Sequence, residues 1–178
     1  TWLDEVRNAP PLIFTAVDFT LTNARRTHRL QLYAIPPASL ARPLTVDAKL
    51  SARDADDLKT WNGTLDARMA ALSFPHLGAW LALPYQPQQG LGALKLKFEV
   101  VRGALGGVAA ELDLRAIETS LGDGLPALKL GEVQGRAVWQ RDPDGQRVML
   151  ENLRVARPGA ALGAPFSAGL AWNATSHE

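Results

Sequence analysis

Apolar and polar residues alternate strictly over long stretches of this chain. The clearest stretch covers residues 44–52, where every second residue from Leu44 to Ala52 is apolar and the residues between them are polar or charged. A period of two sorts side chains onto the two faces of a β-strand, whereas a helix would distribute the same residues around its surface. The same alternation recurs at residues 30–34, 65–71, 94–100, 108–114 and 166–172. The chain is therefore predicted to form strands with one apolar face.

Turn-forming residues separate the predicted strands. They lie at Asn23–Thr27, Pro36–Pro37 with Pro43, Arg102–Gly103 with Gly106–Gly107, and Asp142–Gly145. In the last segment proline presets the first turn position and Gly145 can adopt positive φ, which is typical of a hairpin. Strands joined in this way form an antiparallel meander, and the spacing predicts nine or ten of them.

Two segments depart from this regular pattern. Leu77, Trp80 and Leu81 share a helical face, with Ser73 available as a cap and Pro84 as a stop, which predicts one short helix. Between Leu12 and Leu21 the apolar residues change parity, so we expect a bulge or bend near Ala16.

The predicted strands are long for a globular protein. Ten residues span roughly 33 Å, whereas the mean strand has about 5–6 residues. Long strands with one apolar side favour a wide, curved, groove-like sheet whose apolar face is concave. A closed barrel with a ligand-filled interior would give the same pattern. The fold class is therefore predicted as mainly β, a curved antiparallel meander with one short helix.

Charge and composition exclude several functional classes. The chain has 19 basic and 18 acidic residues among its 178, so no strong positive field is available to attract nucleic acid. The absence of cysteine excludes disulfides and thiolate metal sites. The long uncharged stretch Leu72–Leu94 contains Pro75, Pro84 and Pro87 and is not expected to cross a bilayer. The chain starts without methionine or a recognisable leader, so we expect a mature or cut segment.

No catalytic or cofactor motif is apparent. His28, His76 and His177 are not spaced as metal ligands, and each is expected at the surface. No serine lies in a GxSxG frame, and Glu99 and Glu111 are expected on the outer, polar face. We therefore expect no enzyme activity, no cofactor and no metal.

Two clusters of charge need an interpretation. Arg25, Arg26, His28 and Arg29 contain no aromatic residue that could stack on a base, and they are interpreted as a charged hairpin tip. A contact with anionic headgroups or a partner domain is the alternative. Asp54, Asp56 and Asp57 lack the glycine and glutamate of a calcium loop and are interpreted as a solvated loop.

An ordered series of short elements resembles one bacterial family. The series consists of Trp2 with Asp4–Leu12, Val17–Leu21, Asn23, Arg26–Arg29, Ala34–Pro37, Trp61–Leu65, Ala79–Leu81, Gly90–Gly92, Gly106–Val108, Asp113–Leu114, Leu125–Leu128 and Gly135–Arg136. It is similar to the periplasmic region of YhdP-type members of the AsmA-like family of Gram-negative bacteria. The resemblance covers about residues 1 to 157, and it implies that residues 1–178 form a single segment of the β-groove of a larger protein.

The resemblance implies a function in lipid transport. Such proteins are anchored to the inner membrane by an N-terminal helix, and this chain is expected to be a section of the protein that does not include it. Their periplasmic β-groove is implicated in moving phospholipids towards the outer membrane and in its permeability barrier. The implied partners are phospholipid acyl chains and adjoining sections of the same chain, and no catalytic residues are implied.

The predicted lining of the groove comes from the alternating stretches themselves. The candidate lining residues are Leu30, Leu32, Leu44, Val46, Leu50, Leu65, Met69, Leu94, Leu96, Phe98, Val100, Val108, Leu112 and Leu114. An acyl chain needs continuous apolar surface, and each methylene removed from water contributes about 0.8 kcal/mol. The alternative is a structural or protein-binding module in which the same residues form a permanently closed core.

Overall fold

The described residues form a single antiparallel sheet of nine strands. The computed structural model describes residues 11–54, 56–77, 87–120, 125–142 and 145–173. Within these ranges the strands are β1 (Ala16–Ala24), β2 (Thr27–Ile35), β3 (Leu44–Ser51), β4 (Asn62–Ser73), β5 (Pro87–Val101), β6 (Ala104–Thr119), β7 (Leu128–Asp142), β8 (Gly145–Ala156) and β9 (Phe166–Trp172). A 3₁₀ helix (Leu58–Thr60) precedes β4, and helix α1 (Phe74–Leu77) follows it. The predicted mainly-β meander with one short helix is confirmed.

The sheet is open. The strands are hydrogen-bonded in chain order, so among the described strands β1 pairs only with β2, and β9 only with β8. The closed-barrel alternative is therefore wrong for this part of the chain. The accessible surface of 12297 Å² supports the same conclusion, because a compact protein of this mass exposes about 8,400 Å².

Three bulges keep the apolar residues on one face over the full length of the strands. Ala71, Ala116 and Asn152 all have φ near +50° and lie at or beside breaks in the regular pairing of β4, β6 and β8. Each inserts one extra residue, so that Leu72, Ile117 and Leu153 return to the apolar side. Bulges also bend the strands that contain them.

A small core closes one end of the apolar face. Leu40, Ala41 and Leu72 are buried together, and the partly buried residues packed against them are Leu12, Met69, Phe74 and Leu94. Two backbone hydrogen bonds attach the β2–β3 connection to the end of β4, from Arg42 N–H to Ala70 O (2.9 Å) and from Ser73 N–H to Leu40 O (2.7 Å). The connection expected between Pro36 and Pro43 thus covers the end of the sheet.

The first strand and the helix differ in detail from expectation. Strand β1 begins at Ala16 after a bend at Thr15, where the sequence predicts a bulge or bend, and Leu12 forms an isolated bridge and packs against the small core. Helix α1 starts directly after Ser73, as expected, but the Ser73 hydroxyl contacts His76 Nδ1 at 2.7 Å. Trp80, Leu81, Pro84 and the tip of the Asp142–Gly145 hairpin lie outside the described residues, although Asp142 and Gly145 pair as a hairpin requires. In the described ranges no helix is long and apolar enough to cross a membrane.

Candidate functional site

Cross-strand register joins the apolar residues into continuous rows. One row of direct partners crosses all nine strands as Leu21, Leu30, Ala48, Leu65, Phe98, Val108, Trp139, Val148 and Leu170. The next row is Phe19, Leu32, Val46, Ala67, Leu96, Ala110, Ala137, Leu150 and Ala168. Direct partners project from the same face of a sheet. Neither row contains a polar residue.

The predicted lining residues all belong to this apolar face. Leu44, Met69, Leu94 and Leu112 form part of a third row, Leu50 and Val100 flank Gly63 at the far end, and Leu114 pairs with Gly92. The prediction that these residues share one side of the sheet is confirmed, because their strands keep a common register. Their role as a lipid lining stays a prediction.

Among the described residues, few cover the apolar face away from its packed end. Phe19 is 58% exposed on β1 and Leu170 is 67% exposed on β9, while Leu96 and Phe98 in the middle are half-buried by their neighbours in the sheet. The fully buried large side chain among the described residues is Leu72, which belongs to the small core at the end. Only small residues such as Ala48 and Ala67 are buried along the rows themselves. A face of this kind can accept a long apolar ligand or a covering partner.

The opposite face is polar and carries pairs of charges across the strands. Lys95 Nζ lies 2.7 Å from Glu111 Oε2, and Arg136 Nη1 lies 3.1 Å from Glu151 Oε2. The hydrogen bond from Lys95, together with its positive charge, holds the pKa of Glu111 below its ordinary value. Glu99 and Glu111 thus lie on the outer, polar face, as expected.

The main depressions in the described surface lie on this polar face and at the ends of the sheet. A depression of about 470 Å³ surrounds Ala109, with Arg68, Lys95, Lys97 and Arg136 among its walls. The candidate site is therefore an exposed face rather than an enclosed pocket.

The basic residues around the first turn do not form one cluster. Arg25 and Arg26 form the β1–β2 turn, and Arg25 has φ of 51°. His28 projects from the apolar face, where its ring stacks on Trp61 with centroids 4.8 Å apart and lies 2.9 Å from Asn23 Oδ1. Arg29 projects from the polar face, 4.0 Å from Asp47. Alternation within β2 separates His28 from Arg29, so the surface position expected for His28 is only partly correct.

The acidic loop and the remaining histidines form no metal site in the described residues. Asp54 Oδ1 accepts a hydrogen bond from Asp56 N–H, and Asp57 Oδ1 accepts one from Lys59 N–H, so both carboxylates stabilise their own loop. No group of three or more possible ligands occurs in the ranges that the structure describes. His76 is exposed at α1, as expected, and His177 lies outside those ranges.

The sequence prediction missed part of the face. Phe19, Trp139, Val148 and Leu150 lie in the two main rows but were not among the candidates. The apolar and polar residues around these positions alternate over only a few residues. In β8 the bulge at Asn152 changes the parity, so Leu153 does not continue the pattern of Val148 and Leu150 in the sequence. The Trp139 indole N–H donates to Gln146 Oε1 across the β7–β8 pair at 3.0 Å, which fixes the ring at the end of the face.

Comparison with protein-family models, with curated proteins and with solved structures finds no match to this chain.

Proposed function

We propose that this chain is one section of a hydrophobic β-groove that carries phospholipid acyl chains between the inner and outer membranes. In this proposal it acts in the periplasm, belongs to a longer protein anchored to the inner membrane, adjoins further sections of that protein and contributes to the outer-membrane permeability barrier. The observation that carries the proposal is the apolar face, which the described residues leave largely uncovered and in which two rows cross nine strands without a polar residue.

The dimensions of the face suit a long aliphatic ligand. Nine strands at about 4.8 Å spacing give an apolar width of about 38 Å along each row. A chain lying on a row gains about 0.8 kcal/mol for each methylene removed from water, and no polar group interrupts the row to hold it in one place. Binding is therefore favourable at every position along the row, while movement between positions costs little.

The alternative is a structural or protein-binding module with a permanently closed apolar face. Closure needs a second layer over the rows, since a sheet buries its apolar face against another element. Among the described residues, the β2–β3 connection and α1 cover only one end. The exposure of Phe19 and Leu170 therefore favours the open groove over this alternative.

Two adjacent alanines on β6 allow a matched test. Ala110 lies in the row between Leu96 and Ala137, whereas Ala109 projects from the polar face between Lys97 and Val138. Both are half-buried, so Ala110→Asp and Ala109→Asp introduce the same group into the same strand on opposite faces. In an open groove the new carboxylate stays hydrated and both variants fold, but only Ala110→Asp interrupts the path of an acyl chain.

The measurements are native mass spectrometry of protein purified without detergent and displacement of a neutral fluorescent fatty-acyl probe. We expect phospholipid to co-purify with the parent chain and with Ala109→Asp but to be lost from Ala110→Asp and Leu96→Asp. In the full-length protein, the same two variants should weaken the outer-membrane barrier. Lipid-free parent protein, or unfolding of Ala110→Asp alone, would favour the closed module.

A further inference from the structure

A depression at one end of the sheet is lined by cations without any carboxylate. Its walls contain Arg26, Arg53, Lys59 and Arg102, and its other lining residues are Ser51, Ala52, Thr60 and Asn62. We call it the basic depression; its volume is about 440 Å³. Four other depressions on the described surface, in contrast, each have at least one aspartate or glutamate in their walls.

The four cations come from three separate turns that backbone hydrogen bonds hold together. Ala52 N–H donates to Arg26 O at 2.9 Å, which joins the end of β3 to the β1–β2 turn. Gly103 N–H donates to Trp61 O at 2.8 Å, and Arg102 N–H donates to Asn62 Oδ1 at 3.0 Å. The β5–β6 turn is therefore fixed against the start of β4, and the arrangement of the cations does not depend on their own side-chain contacts.

The nearby acidic residues do not line this depression, and their carboxylates point to their own loop. Asp54 and Asp57 accept hydrogen bonds from backbone N–H groups of their own loop. The Thr60 hydroxyl is likewise engaged with the Asp54 and Asp57 carbonyls, at 2.7 Å and 2.8 Å. Over the described residues, none of the four cations is in an ion pair closer than 4.0 Å, whereas Lys95, Arg136 and Lys129 elsewhere each have a carboxylate partner.

We infer that the basic depression binds a phosphate group. Guanidinium groups donate paired hydrogen bonds to phosphate oxygens, and three arginines with one lysine supply both planar and point-charge donors. The phosphate can belong to a phospholipid headgroup or to a soluble molecule. The headgroup is the favoured source because the depression lies at the end of the sheet where the apolar face reaches Leu50, and this choice of source rests on the proposed function.

The test compares two double variants of equal charge. Arg53→Gln with Lys59→Gln removes two cations from the basic depression, while Lys97→Gln with Arg154→Gln removes two exposed cations from the polar face elsewhere. Each is measured against vesicles of phosphatidylcholine alone, vesicles that also contain phosphatidylglycerol, and inorganic phosphate in solution. We expect binding of the anionic vesicles to fall roughly thirtyfold in the first variant and to change little in the second.

The possible results separate the two sources and the two proposals. If the parent chain binds inorganic phosphate but no vesicles, and the Arg53→Gln, Lys59→Gln variant loses the phosphate binding, the site is supported and its ligand is a soluble phosphate. Equal losses in both double variants, or no binding of either probe by the parent, would overturn the site. The neutral fatty-acyl probe is bound through the apolar face alone, so its unchanged binding in the Arg53→Gln, Lys59→Gln variant shows that the fold and the groove are intact. If the parent chain does not bind the neutral probe, the groove is contradicted. The phosphate site is then supported or overturned by the phosphate and vesicle measurements alone.

Discussion

Lys95 and Glu111 are direct partners on β5 and β6, and their charged groups meet on the polar face while Leu94 and Leu112 meet on the apolar face one position away. Two adjacent rungs of one strand pair thus define both sides of the sheet. The polar side is built from exposed ion pairs, and the apolar side from hydrocarbon.

The ion pair predicts a pH dependence. Because Lys95 lowers the folded-state pKa of Glu111 below 4.5, the stabilisation is present above the unfolded pKa and is lost as pH falls below about 4.5 and through the lowered value. We expect Lys95→Gln to raise the pKa of Glu111, measured by a carbon-13 titration of the carboxyl group. Unfolding free energy at neutral pH should fall by less than about 1 kcal/mol, since both side chains are exposed. The control is Arg154→Gln, and an equal pKa rise in that variant would contradict the pairing.

Two leucines distinguish the packed end of the sheet from its open face. Leu72 is fully buried, and Leu72→Ala should lower the free energy of unfolding by about 2–5 kcal/mol. Leu170 is 67% exposed, and Leu170→Ala should change it by about 0.5 kcal/mol or less. Urea denaturation measures both. Similar large losses would mean that the apolar face is covered in solution, as the closed module requires.

Replacing the left-handed alanines at the bulges by glycine should increase the stability of the fold. Ala116 has φ of 51° and Ala71 has φ of 50°, a region that costs an L-residue about 1–2 kcal/mol. Glycine removes this strain but costs about 0.5–1 kcal/mol of chain entropy, so each substitution should stabilise the fold by about 0.5–1 kcal/mol. Ala109→Gly, in extended backbone of the same strand as Ala116, should destabilise instead. Equal destabilisation by Ala109→Gly and Ala116→Gly in urea titrations would show that the bulge is not strained.

Gly63 is required by close approach between β3 and β4. Its φ is +155°, and a Cβ there would collide with the Lys49 carbonyl oxygen and lie 2.8 Å from Leu50 Cα. We expect Gly63→Ala to lower the free energy of unfolding by about 2 kcal/mol or more. At Gly169 an added Cβ would make ordinary contacts of 3.6 Å with Val148 O and 3.7 Å with Met149 Cγ. Gly169→Ala should therefore be neutral or slightly stabilising, and a comparable loss there would contradict the steric explanation.

Alternation alone was sufficient to identify most strands and their faces. Parity along a strand is a local property, so residues 44–50 and 94–100 could be assigned to the same side before any pairing was known. The prolines and glycines of the Arg102–Gly103 turn and the Asp142–Gly145 hairpin likewise act within a few residues. Both kinds of signal are local, so they can be identified from one sequence without knowledge of contacts between distant residues.

The tertiary structure decided what depends on residues far apart in the chain. Whether the sheet closes is determined by pairing between β1 and β9, which no local pattern encodes. The bulges at Ala71 and Ala116 could not be predicted either, because alanine is not a turn-forming residue. Arg26, Arg53, Lys59 and Arg102 meet only because backbone hydrogen bonds draw three turns together. The sequence thus determined which side chains share a face, since that follows from the geometry of one strand. The pairing of distant strands determined that the sheet stays open, and the packing of distant turns determined that a cationic depression forms at its end.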